Sequence, residues 1–299
     1  MNNIKSKFSI KDLENLSGIK AHTIRIWEKR YNLFEPNRTD TNIRYYSLAS
    51  LQKILNISYL NSNGYKISKI ANLKSEEVPL LVKEIAEQSD ENVHAINLFK
   101  LAMINFDQAL FYQTYNDLMN EFSFKDIFYT IFVPLLDKIG LLWQTDTITP
   151  AHEHFIVELI KQKILINTDN ALSGFKHSDS DKTYVLFLPD NEVHELGLLY
   201  TNYEIINQGA HAIYLGQSVP IESLQYLLSQ FENITFVSCF TVKPDKEHIL
   251  KYIAEFDKNI LSKSNSNLLI SGRMTAYLQD ITNPKIAAFK TTKEVLESL

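Results

Sequence analysis

A multidomain chain of mixed α and α/β class is predicted: a small basic helical module at residues 1–75, a four-helix-type bundle at 76–172, and a doubly wound, five-stranded parallel sheet at 182–299. Three observations lead there. The net charge of −5 conceals a split, because residues 1–75 hold 13 lysines and arginines against 5 acids, whereas the remainder holds 17 against 30. Residues 76–172 follow a helical apolar period almost without a break. Beyond residue 182, short apolar runs alternate with longer amphipathic ones, the pattern of strands joined by helical crossovers.

Composition narrows the classes of function. An apolar fraction of 45% with 22% charged residues describes a folded globular chain. The single cysteine, Cys239, excludes an internal disulfide and a cysteine-based zinc cluster, and it fits a reducing, cytoplasmic setting. The polar N-terminus predicts no secretory leader. The most apolar stretch, residues 127–143, is interrupted by Asp137 and Lys138 and is too short to span a membrane. With only 8 glycines and no visible catalytic dyad, triad or phosphate loop, an enzyme is not expected.

In the basic module, Ser9 can cap a helix over 10–16, with Asp12 completing a box-like arrangement. Gly18 breaks that helix. A second one, over 21–31, brings Ile24, Trp27 and Tyr31 onto one stripe, predicted to be buried, with His22, Arg25, Lys29 and Arg30 off it. Two short helices joined by a glycine-containing turn, the second basic outside, make a helix-turn-helix. The polar, basic and aromatic run 36–46 reads as a hairpin wing. A third helix over 48–61 turns Leu51, Ile54, Leu55 and Tyr59 inward, and a short helix follows at 67–73. Phe8-Ser9-Ile10, Gly18-Ile19, residues 23–31, Pro36-Asn37-Arg38 and Arg44-Tyr45-Tyr46-Ser47, in this order and spacing, resemble the winged helix-turn-helix of MerR-type transcription regulators. The resemblance implies double-stranded promoter DNA as partner, with the second helix in the major groove. It places Arg25, Arg38, Arg44 and Tyr45 at or near the DNA, mostly on phosphates, with His22, Lys29 and Arg30 on the same basic face. A protein-binding module with a basic face is the alternative.

Helices are predicted in the middle segment over 77–89, 92–105, 106–121, 123–143 and 150–172, with Asp90 and Ser123 as N-caps and Thr149-Pro150 opening the last. Their short connections imply an antiparallel bundle. Trp143 ends one helix, and after nine residues Glu153-His154 open the next, so the three side chains can meet at one end of the bundle. A tryptophan with a Glu-His pair also describes ordinary packing plus a helix-start charge.

Residues 168–181 are polar and read as an interdomain linker. Strands follow at 183–188, 212–215, 234–239, 267–271 and 286–289, with helices over 195–208, 221–230, 246–261, 273–280 and 293–299. Ligands on such sheets bind beyond the carboxyl ends of the strands. There lies Glu192-x-His194-x-x-Gly197, in a loop leading to a helix over 196–207. A histidine with an acid two residues before it suits a metal ligand whose second ring nitrogen is held, and the glycine lets a bulky group approach. Taken alone, the hexapeptide also suits a surface histidine in a polar loop. Together with Gly216-x-x-Val219-Pro220, Ser238 and Gly272, it resembles the cobalamin-binding domain of corrinoid proteins, a flavodoxin-like sheet.

That resemblance implies His194 as the lower ligand of cobalt, Glu192 as its hydrogen-bond partner, and Gly197 as the point of corrin approach. Ser238 and Gly272 would line a slot for the displaced nucleotide tail. Glu192 stands where the family usually has Asp, and Ser271-Gly272 where it often has two glycines. A response-regulator receiver shares the topology, but Asp190 stands alone and no lysine follows the fourth strand.

The order of the three segments resembles the cobalamin-dependent regulators typified by the light-sensing repressors of carotenoid genes. The resemblance implies adenosylcobalamin as cofactor, with Trp143, Glu153 and His154 on its upper side. It also implies a homo-oligomer, dimer or tetramer, that binds DNA in the dark and dissociates in light. Photoreceptor members have a histidine directly after the tryptophan, where Gln144 stands here, leaving cobalt to water or to another group such as His152. The alternatives are a corrinoid carrier for methyl transfer and a MerR-type regulator that has lost the cofactor and senses a protein partner.

Overall fold

The computed structural model describes residues 7–74, 76–86, 91–144, 147–173, 182–278 and 282–299. The chain divides into two compact units, Met1–Ile160 and Lys161–Leu299.

The first unit opens with helices α1 (Ile10–Ser17) and α2 (Ala21–Tyr31), the hairpin β1 (Asn37–Arg38) and β2 (Arg44–Tyr45), and helices α3 (Leu48–Ser62) and α4 (Ile67–Ile70). The Ser9 side chain accepts from the Asp12 amide while Asp12 accepts from that of Ser9, so the capping box is complete. Gly18, at φ 77, closes α1, and a left-handed Asn32 closes α2. Ile24 and Trp27 are buried, but Tyr31 is only half-buried and stacks with Arg30, so the predicted stripe is one residue shorter. Wing and core are joined by a lone antiparallel bridge between Phe8 and Tyr46, both fully buried.

Helices α5 (Glu77–Ala86), α6 (Glu91–Asn105), α7 (Gln108–Met119), α8 (Phe124–Ile127) and α9 (Val133–Gln144) follow, and α10 (Pro150–Ser173) begins in this unit. Asp90 and residues 87–89 lie outside the described residues. The helix predicted over 106–121 starts at Gln108 instead. Phe106 takes a positive φ of 52°, and Asp107 caps the new helix through the Leu110 amide. The helix predicted over 123–143 is capped by Ser123 as expected, but residues Phe128–Phe132 widen into a π-helical turn between α8 and α9. Phe99, Phe111 and Phe132 make the aromatic centre of this bundle.

Of the linker predicted at 168–181, residues up to Ser173 are helical, and the Thr168 and Ser173 hydroxyls donate to carbonyls one turn back without ending the helix. Residues 174–181 lie outside the described residues.

In the second unit the elements are β3 (Lys182–Phe187), α11 (Leu196–Asn207), β4 (His211–Gly216), α12 (Ile221–Leu224), β5 (Asn233–Cys239), α13 (Ile249–Asn259), β6 (Asn267–Ser271), β7 (Ile286–Ala288) and α14 (Thr292–Glu297). The sheet order is β4-β3-β5-β6-β7 and every pairing is parallel. Val185 and Phe187 point into one core with Phe236, Phe256 and Ile270, and Tyr184 and Leu186 into the other with Leu198, Val237 and Val295. Burial on both faces explains the unbroken apolar run of β3. The helix predicted over 273–280 is a 3-10 turn, Arg273–Tyr277, and that predicted over 246–261 starts at Ile249. Because β4 and β5 flank β3, the chain departs to opposite sides from their ends, and the loops after β3 and β5 open a crevice there.

Candidate functional site

Glu192 and His194 sit in that crevice. Glu192 is 0% exposed, yet it keeps a full set of donors. One carboxylate oxygen accepts from the amides of Val193 and His194 and from His194 Nδ1 at 2.6 Å. The other accepts from the amides of Thr241, Val242 and Lys243, at 3.2, 2.6 and 2.7 Å. Burial alone would lift this carboxyl, but the N–H groups of Lys243, Val242 and His194, with the imidazole, outweigh it and hold the pKa down at about 2. An ionised Glu192 only accepts, so Nδ1 carries the ring proton and Nε2 presents a lone pair. The His194 side chain is 52% exposed. A buried acid thus fixes the tautomer and plane of a ring that faces outward, as metal-ligating histidines require.

The next residue fastens the loop. Glu195 accepts from Lys161 Nζ at 2.5 Å and from the Tyr214 hydroxyl at 2.9 Å. Burial pushes the Glu195 carboxyl up, and Lys161 and Tyr214 more than reverse it. On the side of β3 away from β5, Leu188 donates to the Gly216 carbonyl and Val219 to that of Leu188, while Ser218 Oγ accepts from the Asn191 amide. Gly216, at φ 81, permits that turn.

Of the two expected slot residues, Gly272 lines a cavity while the Ser238 hydroxyl is tied to β3, and close packing gives Gly197 a further reason to be glycine. A Cβ on Gly197 would meet Thr292 Cγ2 at 3.1 Å, so this glycine answers to the approach of α11 and α14. Ser238 is fully buried and its hydroxyl donates to the Phe187 carbonyl at 2.7 Å, which joins β5 to β3. Gly272 does line one, of about 480 Å³, with Arg273, Thr275, Ile286, Phe289 and Lys290. It has φ 107, and a Cβ there would lie 2.6 Å from the Phe240 carbonyl oxygen. The single glycine of Ser271-Gly272 is therefore the one the backbone demands.

In the helical segment Glu153 is half-buried and His154 exposed in the first turns of α10, and Trp143 falls in the last turn of α9. The side chains of Trp143 and Gln144 lie outside what is described. His152 is buried, bonds Thr149 Oγ through Nδ1 at 2.8 Å and stacks on Phe106, so it is committed to packing.

On the basic module, His22, Arg25, Lys29 and Arg30 are all exposed on α2. Arg38 is exposed and held by Asn42 at the wing tip, at 2.7 Å. Arg44 lies 3.8 Å from Glu28, which also accepts the Tyr46 hydroxyl. Burial and Glu28 together push the Tyr46 phenol up. Arg44 is therefore a brace between wing and helix as well as a surface cation. Lys7 stands over the Tyr45 ring at 4.9 Å.

Residues 8–77 match the model of the MerR HTH family regulatory proteins, and residues 95–166 match that of the B12 binding domain. The HTH-type transcriptional repressor CarH of Myxococcus xanthus is 28% identical over 216 residues, 70% of each chain. The repressor CarA of the same organism is 27% identical over 242 residues, 79% of this chain and 73% of that one. The chain is a MerR helix-turn-helix joined to a B12-binding domain, homologous to CarH and CarA. A monomethylamine corrinoid protein of Methanosarcina barkeri shares the fold, with a TM-score of 0.53 at 12% identity, over 70% of this chain and all of that one.

Some parts of this B12-binding MerR-type chain escaped sequence reasoning. The Thr241–Lys243 amides are backbone groups, and no residue type signals them. Glu28 had a readable signal, as the lone acid among the basic residues of α2. Lys161 and Glu195 are 34 residues apart, and only the fold pairs them. Among the described residues, no helix is long and apolar enough to cross a membrane.

Proposed function

We propose that this chain is a cobalamin-dependent DNA-binding repressor, in which adenosylcobalamin held through His194 promotes self-association, and self-association promotes promoter binding. The observation that carries the reading is the 2.6 Å bond between buried Glu192 and outward-facing His194 in the switch-point crevice. When bound, cobalamin supplies a cobalt open to an imidazole nitrogen and, in its adenosyl form, a cobalt–carbon bond that light can break.

The chain's own part is positioning and charge. Glu192 keeps the proton on Nδ1 and the lone pair on Nε2. Val193 and Val242 leave apolar surface exposed near the ring. The cavity beside Gly272, with Arg273 and Lys290, has the size and charge for an anionic tail. In the N-terminal module His22, Arg25, Lys29, Arg30 and Arg38 meet phosphates. One winged helix grips few of them, and joining copies raises affinity through effective concentration. A ligand favouring the assembled state moves the equilibrium by its differential affinity. Homology to two transcriptional repressors supports the direction of control.

Size-exclusion chromatography with in-line absorbance tests this. With adenosylcobalamin in the dark, a larger species carrying the cobalamin spectrum is expected, and His194→Ala should lose the ligated spectrum. Illumination should dissolve the larger species. Cobalamin-free protein peaks would overturn the reading, and a light-indifferent complex would overturn only its light response, at which Gln144 is the residue to vary.

A further inference from the structure

The segment that matches the B12 binding domain reaches the DNA-binding module at two consecutive residues of α1. Lys100, on α6, donates its ammonium to the Leu16 carbonyl at 2.9 Å. Thr147, in the connection after α9, accepts from Asn15 Nδ2 at 2.8 Å. Thr147 is fully buried and Lys100 is 7% exposed. A third contact, the tilted ring pair Tyr59–His94 at 5.6 Å, seats α3 against the start of α6.

These are selective contacts for a buried place. The last carbonyls of a helix have no partner within it, and the Leu16 carbonyl is one of them. A cation is favourable at that end. Burial, with Lys138 nearby, lowers the Lys100 pKa to about 8. An apolar chain of the same length would fill the space without that desolvation cost but would leave the Leu16 carbonyl without this donor, so the ammonium ties α6 to this end of α1. The held end leads straight to the DNA-facing helix. Glu14, one residue before Asn15, accepts from the Ala21 amide that opens α2, and only residues 18–20 separate the two helices.

We infer that Lys100 and Thr147 are positioning residues that hold the winged module on the helical bundle, and that through them ligand binding in the B12-binding segment alters the setting of α2. Its ligand half rests on the function proposed above; its positioning half does not.

Hydrogen–deuterium exchange on the full chain tests both, with and without adenosylcobalamin, for Lys100→Met, Thr147→Val and Thr147→Ser. Without ligand, exchange in residues 10–31 should rise at least about fivefold in Thr147→Val and Lys100→Met, the effect on local opening of one lost net hydrogen bond. Thr147→Ser keeps the hydroxyl and should behave as wild type. On adding adenosylcobalamin, the change in exchange at α2 seen in wild type should vanish in Thr147→Val and return in Thr147→Ser, while the cobalamin absorbance stays the same in all. Wild-type exchange in both ligand-free variants overturns the inference. Raised exchange with an undiminished response to ligand overturns its regulatory half. If the wild-type chain takes up no cobalamin, the proposed function fails instead, and the ligand-free comparison still decides whether these residues hold the module.

Discussion

Glu192 and Glu28 each hold a candidate site residue in place, and they do so by opposite means. Glu192 is gripped by five backbone N–H groups from two loops and presents His194. Glu28 is gripped by side chains alone, the Tyr46 hydroxyl and Arg44, and braces the wing. A backbone cage has no rotamers to exchange, so the imidazole it orients is set before any ligand arrives. A side-chain brace can open, so Arg44 can leave Glu28 for a phosphate without disturbing the fold. The difference suits the two proposed tasks: coordination needs a fixed nitrogen, whereas a DNA backbone of varying shape is met by cations that adjust.

The largest effect that would test this contrast is expected at Gly272, where the loop ends of the sheet close on one another. Gly272→Ala combines a left-handed φ with a backbone overlap and should cost about 3–5 kcal/mol. Denaturant unfolding followed by exchange of peptides from 182–299 reads it, and a variant as stable as wild type would show that the loops yield after all.

Next comes Glu192→Gln. Whichever way the amide sits, its NH₂ faces N–H donors, for about 2–3 kcal/mol lost. The same group gives a pH signature. Its folded pKa of about 2 lies below the ordinary 4.5, so its contribution of about 3 kcal/mol is complete above pH 4.5. It is lost as pH falls from there through about 2. Glu192→Gln should lack that acid limb, and superimposable acid unfolding of the two proteins would refute the cage.

Tyr46→Phe loosens the brace and should cost about 1 kcal/mol, with faster exchange at the wing and an unchanged sheet. If wing exchange is unmoved, the Glu28 brace has no mechanical role. The smallest structural effect belongs to Arg25→Ala. Stability should stay within about 0.5 kcal/mol, while the slope of log affinity for duplex DNA against log salt falls by about one. An unaltered slope would remove Arg25 from the interface.

How legible these features were depended on the range of the interaction involved. The Ser9–Asp12 box and the 267–271 strand span a few residues and were read to the residue. The sequence predicts a helix from Phe106, yet the positive φ of that residue lets Asp107 cap a helix that starts at Gln108. The polar run after Thr168 looked like a linker, but hydroxyls that bond back to their own helix do not end it. Glu192 beside His194 was visible as spacing, whereas the second half of its cage comes from residues 49 to 51 positions away.

The sequence by itself determined the basic charge of the first 75 residues, the alternation that makes a parallel sheet, and the presence of an acid–histidine–glycine loop at a strand end. All three follow from local periodicity and residue type. Only the tertiary structure decided that Gly197 serves helix contact, that Ser238 joins two strands, and that Lys100 and Thr147 clasp α1. Those assignments depend on which distant groups a buried atom meets. A polar group removed from water must bond to whatever the fold places beside it, and no residue carries that neighbour in its own sequence.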